Sequence, residues 1–387
     1  MAGIFYGWIG VYYGGLAQMQ DTWSFHAGSI QEYHLLFTHP GEYFTNLFHN
    51  PYDKGMEKFF GANDSYWNDL KGNVLIKLFS LFNIFSFGYY YVNVIFYSFI
   101  SLFGAVAIYK VMDHAFPGRK LVILLSTFLL PSFLYWSSGL HKEGLIFTGI
   151  SLVIYSIYFS QLDRRITWKR VLMLFIGLVI LLAIRNFLLV IIIPALIAWT
   201  LAFFWPKKSL AIFAGVYLVF GIFFFTARYL VPSLDFPQAV VEKQQAFLKL
   251  QGGNSSLPIT QLDPTAISFI RNSPEALNLS SIRPYPSDVK HILSLAAAIE
   301  IDGILILFLL FLLLHRGPWR SPNNLVYFCL FFSFSVLMAI GFSVNNLGAI
   351  VRYRSVVLPL LIIPMAASLD WKRLGRVFGD IKNNNNV

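Results

Sequence analysis

Apolar stretches long enough to cross a bilayer recur along almost the whole chain, and this is what most limits its fold. Each stretch near 20 residues is a candidate spanning helix, because only helices and closed barrels satisfy every backbone polar group inside lipid. Charged residues make up 12% of the 387, against 57% hydrophobic, and mean hydropathy is +0.62. Soluble domains carry roughly 25% charged residues, so a single soluble core is excluded and the expected class is an all-α polytopic membrane protein. The net charge of +10 invites a nucleic-acid reading, but the cations sit in short links between apolar segments, as orientation by cytoplasmic Lys and Arg produces. No nucleic-acid partner is therefore expected. The one cysteine, Cys329, supports neither a disulfide nor a metal site. Met1 leads into an apolar stretch without a basic region, so no cleavable signal peptide is expected, and the true start could lie upstream.

Five links are rich in cations: Lys110–Lys120, Arg164–Arg170, Lys207 with Lys208, Arg316–Arg320 and Lys372–Lys382. Placing all five in the cytoplasm requires an even number of crossings between neighbours. Spans are then expected at 121–138 and 143–161, at two segments within 171–205 turning at Arg185-Asn186, at 209–231 and 293–314, and at 323–343 and 351–369 turning at Asn345-Asn346. Residues 1–17 add a crossing with Gly3, Gly7, Gly10 and Gly14 on one face, a stripe suited to close packing. The better span before Lys110 is 88–109, leaving 73–86 as an interfacial or loop-borne helix. The expectation is about ten transmembrane helices with both termini cytoplasmic, one transmembrane domain over 1–370 and a tail at 371–387. Two sizeable extracytoplasmic loops, 18–72 and 232–292, complete it, and Asn383–Asn386 is low-complexity.

Ionisable residues within or beside spans mark function more often than surface charges do. Lys142, Glu143, Arg185, Arg228, Arg352 and Arg354 all fall at expected outer helix ends. Glu300 lies fourteen residues before Leu314, about 21 Å along the helix and so in the outer third. Asp302 is about 200° further round that helix, so only one of the two acids can easily face the bundle interior. Arginine forks match phosphate oxygens, and a phosphate at this depth belongs most naturally to a lipid head group. Against this stands the reading that these side chains only snorkel to the interface.

The first outer stretch supplies acids. Asp21 follows the first helix within about a turn, amid Gln20, Thr22, Trp23, His26 and Glu32, a mixture of polar and aromatic groups suited to sugar. Asp64 and Asp69 bracket a Ser-Tyr-Trp-Asn stretch. No glycine-rich phosphate loop, His-x-x-x-His pair or Gly-x-Ser-x-Gly elbow is present.

The run Val74-Leu75-Ile76-Lys77-Leu78 through Phe85-Ser86-Phe87-Gly88 follows an outer loop that opens with an acid. This order resembles the N-terminal module of polytopic GT-C superfamily glycosyltransferases, the protein mannosyltransferase and aminoarabinose transferase group. Arg352-Tyr353-Arg354 followed by Pro359 is similar to the Arg-Tyr…Pro pattern of a late helix in such enzymes. Trp136-Ser137-Ser138-Gly139-Leu140-His141-Lys142-Glu143 looks like bacterial members of this class and like polysaccharide polymerases. The resemblance implies transfer of a sugar from a polyprenyl-phosphate carrier to a glycan, lipid or protein acceptor outside the cytoplasm, in a bacterial inner membrane. It implies Asp21 as the catalytic acid or base. Arg352, Arg354, Arg185, Lys142, Glu143 and Glu300 are the candidate substrate-binding residues. The chain lacks an Asp-Glu or Asp-x-Asp pair beside Asp21, so no metal ligands and no cofactor are assigned, and a divalent metal is left open. A lipid-linked polysaccharide polymerase or ligase is the nearest alternative. A transporter or flippase would prefer midplane charges and broken helices in paired repeats. A non-catalytic scaffold would leave the cluster of outer charges unexplained.

Overall fold

The computed structural model describes residues 1–12, 20–53, 55–61, 65–250, 255–315 and 324–374. Among them the chain is all-α, with two isolated bridges, Ser256 to Asn346 and His315 to Leu369. The helices are α1 (Ala2–Tyr12), α2 (Gln20–Thr38), α3 (Pro40–Thr45), α4 (Tyr66–Ser86), α5 (Tyr90–Ala115), α6 (Lys120–Phe128), α7 (Pro131–Ser138) and α8 (Lys142–Leu162). Then follow α9 (Trp168–Phe204), α10 (Ser209–Leu230), α11 (Phe236–Lys249), α12 (Ala266–Ser281), α13 (Ile292–Leu314), α14 (Asn324–Ser343), α15 (Leu347–Arg354) and α16 (Leu358–Ser368).

This is a multi-pass membrane architecture. Six helices, α5, α8, α9, α10, α13 and α14, are long and apolar enough to cross a bilayer, and up to eight spans result if α6–α7 and α15–α16 each count as one bent span. Ten were expected, and the difference has two sources. The first crossing, 1–17, is described only as far as Tyr12, and the two spans expected within 171–205 form one element, α9. That element has 37 residues and is interrupted at Arg185, whose φ of −154° and ψ of 72° are not helical. Of the other expectations, Asp64, the Arg316–Arg320 link and the tail beyond residue 374 lie outside the described residues.

Each break has a local cause or a local tie. Pro131 opens α7, and the residue before it, Leu130, is extended at φ −64° and ψ 117°, because a proline ring disfavours the helical region for its predecessor. The bend between α6 and α7 is 52° and that between α15 and α16 is 60°. In the second, Pro359 has no N–H for the carbonyl of Ser355, four residues back. The break at Arg185 has no proline or glycine; there the side chain is tied into the charge cluster described below. Helix α4 starts at Tyr66, seven residues before the expected 73, and ends at Phe87 in the left-handed region, φ 53°, followed by Gly88 at φ 79°. The chain thus turns at Phe87-Gly88 before α5 begins.

Glycine lets the central helices approach closely. A Cβ on Gly104 of α5 would lie 2.6 Å from Thr148 of α8, and one on Gly177 of α9 would lie 2.7 Å from the carbonyl of Gly149. Helices α5 and α8 run side by side in the same direction. Tyr97 hydrogen-bonds the His141 carbonyl at one end, and His114 Nδ1 lies 2.9 Å from the Tyr158 hydroxyl at the other. The first of these ends carries the cluster.

Candidate functional site

Four segments distant in sequence meet at this end: the start of α2, the start of α8, the break in α9 and the last turn of α15. At its centre is Glu143, in the first turn of α8 and fully buried. Its Oε1 accepts from Arg352 Nε at 3.0 Å and from Arg185 Nη2 at 3.3 Å, and its Oε2 pairs with His141 Nδ1. The other arm of Arg352, Nη1, donates to Asp21 Oδ2 at 3.0 Å. His141 Nε2 is 3.6 Å from that same oxygen. One guanidinium therefore bridges two carboxylates, and one imidazole spans the same two acids from the other side. Burying a carboxylate is costly unless its charge is paired and its lone pairs are filled, and Glu143 meets both conditions.

Aromatic rings frame the charges. The Arg185 guanidinium lies 4.1 Å from the Tyr353 ring centroid, and that of Arg352 lies 5.4 Å from Tyr353 and 5.8 Å from Trp136. Cation-on-ring contacts of this kind help hold both guanidinium groups in place. Tyr97, wholly buried, hydrogen-bonds the His141 carbonyl and accepts from the Leu145 N–H at 3.3 Å. This fixes the turn that presents His141 as the N-cap of α8.

Asp21 is the accessible member. Its side chain is 48% exposed, against 1% for Glu143 and 13% for Arg352. Burial pushes its carboxyl upward, but hydrogen bonding to His141 and the Arg352 charge outweigh this and hold it well below the usual carboxylate range. Asp21 is therefore a firm anion at neutral pH, with one side toward the cluster and one toward solvent.

The candidates chosen from sequence divide. Asp21, Glu143, Arg185 and Arg352 come together. Lys142 adjoins them, its ammonium 5.2 Å from the Phe25 ring, with no ion pair among the described residues. Arg354 faces away, since two residues along a helix are 200° apart. Its Nη1 donates to the carbonyls of Ser280, at 3.3 Å, and Arg283, where a cation complements the carboxyl end of α12. Glu300 is not in the cluster either. Its Oε1 accepts from the Ser132 N–H at 2.9 Å, filling a free donor in the first turn of α7, while Asp302 is exposed. Arg228 lies with Asp235, 3.7 Å away, at the end of α10.

The acids around Asp21 have structural partners. Glu32 pairs with Lys77 at 2.5 Å, and Asp69 accepts from the Tyr52 hydroxyl at 2.9 Å. Among the described residues, no three His, Cys, Asp or Glu side chains group as a metal site would require. A cavity of about 410 Å³ opens between α2 and α4, lined by Gln31, Glu32, Asn46, Asn73 and Lys77 among others. It is separate from the charge cluster, about 16 Å along α2 from Asp21 at helical rise.

Sequence reasoning passed over His141, although it adjoins Lys142 and Glu143 at an expected hairpin tip. It also passed over Tyr353, which lies between the two arginines already chosen. Adjacency was the available signal for both. Comparison with protein-family models, curated proteins and solved structures finds no match for this chain.

Proposed function

We propose that the protein is a membrane glycosyltransferase that takes a sugar from a polyprenyl-phosphate-type carrier and places it on an acceptor at the extracytoplasmic face. The observation that carries this reading is the Asp21–Arg352–Glu143 chain with its half-exposed outer carboxylate. An anion beside a reserve of positive charge is what displacement at an anomeric carbon from a phosphate requires. Asp21 accepts the proton of an acceptor hydroxyl as that oxygen bonds to the anomeric carbon. The bond from that carbon to the carrier phosphate oxygen breaks, the electron pair leaves with the phosphate, and cations stabilise it. A single displacement inverts the anomeric centre. Asp21 is held low by its hydrogen bonding to His141 and by the Arg352 charge, so its basicity rises as either partner draws away from it. The resemblance to GT-C enzymes in the Phe87-Gly88 turn and the Arg-Tyr-Arg segment supports the same class, with a lipid-linked glycan polymerase or ligase as its nearest variant.

The test is Asp21→Asn. A general base contributes about 10²–10⁴-fold, so transfer to acceptor should fall by that factor while protein level and donor binding hold. Near wild-type transfer by Asp21→Asn would remove the residue from the chemistry.

The proposed topology is ten crossings with both ends cytoplasmic. The two halves of α9 count separately, and the remaining crossing is the first. At helical rise α9 would be about 55 Å long, nearly twice a bilayer core of about 30 Å. Just past its far end, Ser209 at the start of α10 hydrogen-bonds Asn324 at the start of α14 at 2.5 Å, and its near end adjoins the end of α8. Helix α14 packs on α16, whose end meets the end of α13 where the Asp370 N–H donates to Leu314 at 3.0 Å. Both ends of α9 are therefore read as cytoplasmic. Cysteines near Ser255 should react with an impermeant reagent from outside, and cysteines near Arg165 should not; the reverse result would overturn the arrangement.

The bends at α6–α7 and α15–α16 favour a second reading, a lipid flippase, since broken helices recur in transporters. Proteoliposomes that move a labelled lipid phosphate between leaflets with no sugar transfer would support it over the first.

A further inference from the structure

The cluster contains cations that its acids do not use. Arg352 and Arg185 are matched to Asp21 and Glu143. Lys71, Lys142 and Lys243 form no ion pair among the described residues, in contrast to Lys77, which is paired with Glu32. The three lysines come from three elements, α4, α8 and α11, and converge through two aromatic posts. At the first, Lys142 Nζ is 5.2 Å from the Phe25 ring, and α4 packs on that ring beside Lys71, where a Cβ on Gly72 would lie 3.7 Å from it. At the second, Lys243 Nζ is 5.5 Å from the Phe247 ring, which lies 6.4 Å from the Tyr353 ring that carries Arg185. All three side chains are partly buried rather than free in solvent.

Long cationic side chains on a protein surface normally spread apart. Three drawn inward toward a fourth cation, Arg185, repel one another, and the repulsion is legible outside the spans. Burial first, and then the charges of Lys243, Lys142 and Arg185, push the Lys71 ammonium down to about 7. Burial and Arg185 likewise push the Lys243 ammonium down. Such an arrangement costs stability unless an anion answers it. Lysine ammonium groups suit phosphate oxygens as mobile point charges.

We infer that Lys71, Lys142 and Lys243 form a binding site for a phosphate or diphosphate group beside the Asp21–Arg352 pair. This deepens the transferase reading and rests on it for the role of the ligand. It moves the phosphate contacts away from Arg352, whose charge is matched by Asp21 and Glu143, and from Arg354, which reaches the end of α12 instead, and it keeps Lys142 among them. In this arrangement the leaving phosphate sits on the lysines, and Arg352 lies between it and Asp21.

The experiment measures binding without turnover. Farnesyl diphosphate, farnesyl phosphate and inorganic pyrophosphate are titrated separately by calorimetry into the full-length protein in a neutral detergent. Lys71→Gln, Lys142→Gln and Lys243→Gln should each weaken farnesyl diphosphate binding about tenfold to hundredfold, the scale of a lost charge-assisted hydrogen bond. Lys71→Gln should also raise the unfolding midpoint of the ligand-free protein, because it relieves repulsion, and this separates the effect from misfolding. Binding of the farnesyl compounds over pyrophosphate identifies a lipid head group as the source. Equal binding of pyrophosphate identifies a soluble phosphate. Unchanged affinity in all three variants, or a lowered midpoint for ligand-free Lys71→Gln, overturns the inference. Normal lysine-dependent binding in a protein that transfers sugar to no acceptor would count against the transferase reading alone.

Discussion

Glu143 is the most informative residue to perturb, because three partners depend on one buried carboxylate. Glu143→Gln keeps size and one acceptor oxygen but removes the charge. Arg352 retains Asp21 at 3.0 Å, whereas Arg185 loses its one acidic partner among the described residues, at 3.3 Å, and keeps its contacts with the rings of Tyr353 and Phe187. Breaking a buried pair from one side costs about 3–5 kcal/mol, because a charge is left without compensation. The amide oxygen still accepts one hydrogen bond, so the expected loss lies toward the lower figure, about 3 kcal/mol. Domains of 150–250 residues lose roughly 2–4 °C per kcal/mol, and longer chains lose less, so the midpoint should fall by several degrees.

A double-mutant cycle with Arg185→Leu assigns the cause. If the loss is the stranded Arg185 charge, adding Arg185→Leu to Glu143→Gln should recover part of it, with a coupling of about 1–3 kcal/mol. The assay is thermal unfolding of the purified protein in detergent, followed by tryptophan fluorescence at fixed protein and detergent concentration. Glu143→Gln within 0.5 kcal/mol of wild type, the usual scatter of surface changes, would refute the reasoning. So would strictly additive single changes, since the residues would then not share an interaction.

Two further outcomes are expected. Arg354→Ala should lower stability by about 1.5–3 kcal/mol, the scale of hydrogen bonds made by a charged group, and leave carrier binding unchanged; Arg352→Ala, which leaves the buried Glu143 charge short of a partner, should lower both turnover and the midpoint, and a binding assay beside a melting curve separates the two variants. The Asp21 carboxyl is held below its ordinary value of 3.8, so its ion pair contributes fully above that pH and is lost as pH falls below it; Asp21→Asn should therefore flatten the acid side of a stability–pH profile and leave the profile between pH 6 and 8 parallel to wild type, and an unchanged acid limb would show that the pairing with Arg352 contributes nothing to folding.

Much of the fold was legible because lipid imposes one strict rule on the backbone. Apolar length marked α8, α10, α13 and α14 to within a few residues. Residues 18–72 were less legible. Their polar and aromatic mixture suggested an outer loop, yet α2 and the start of α4 are helical there, held together by contacts distant in sequence such as Lys77 with Glu32 at 2.5 Å. A half-buried helix that packs on the bundle needs no long apolar run, so hydropathy does not announce it.

The site was legible where charge stood out against an apolar background, at Glu143, Arg185 and Arg352, and illegible where side-chain direction decided. Arg352 and Arg354 are indistinguishable in a charge pattern, but the 200° between them sends one to Asp21 and the other to the end of α12. Glu300 turns its carboxylate to the start of α7 rather than to the cluster. The lysines of the proposed phosphate site fail for a different reason: Lys71 and Lys243 lie in polar stretches where a cation is unremarked. Only the packing of α4 on Phe25, and of Phe247 of α11 on Tyr353, brings them toward the cluster. A binding site built from such residues leaves no motif, because its specificity lies in uncompensated charge, and compensation is a property of the assembled fold.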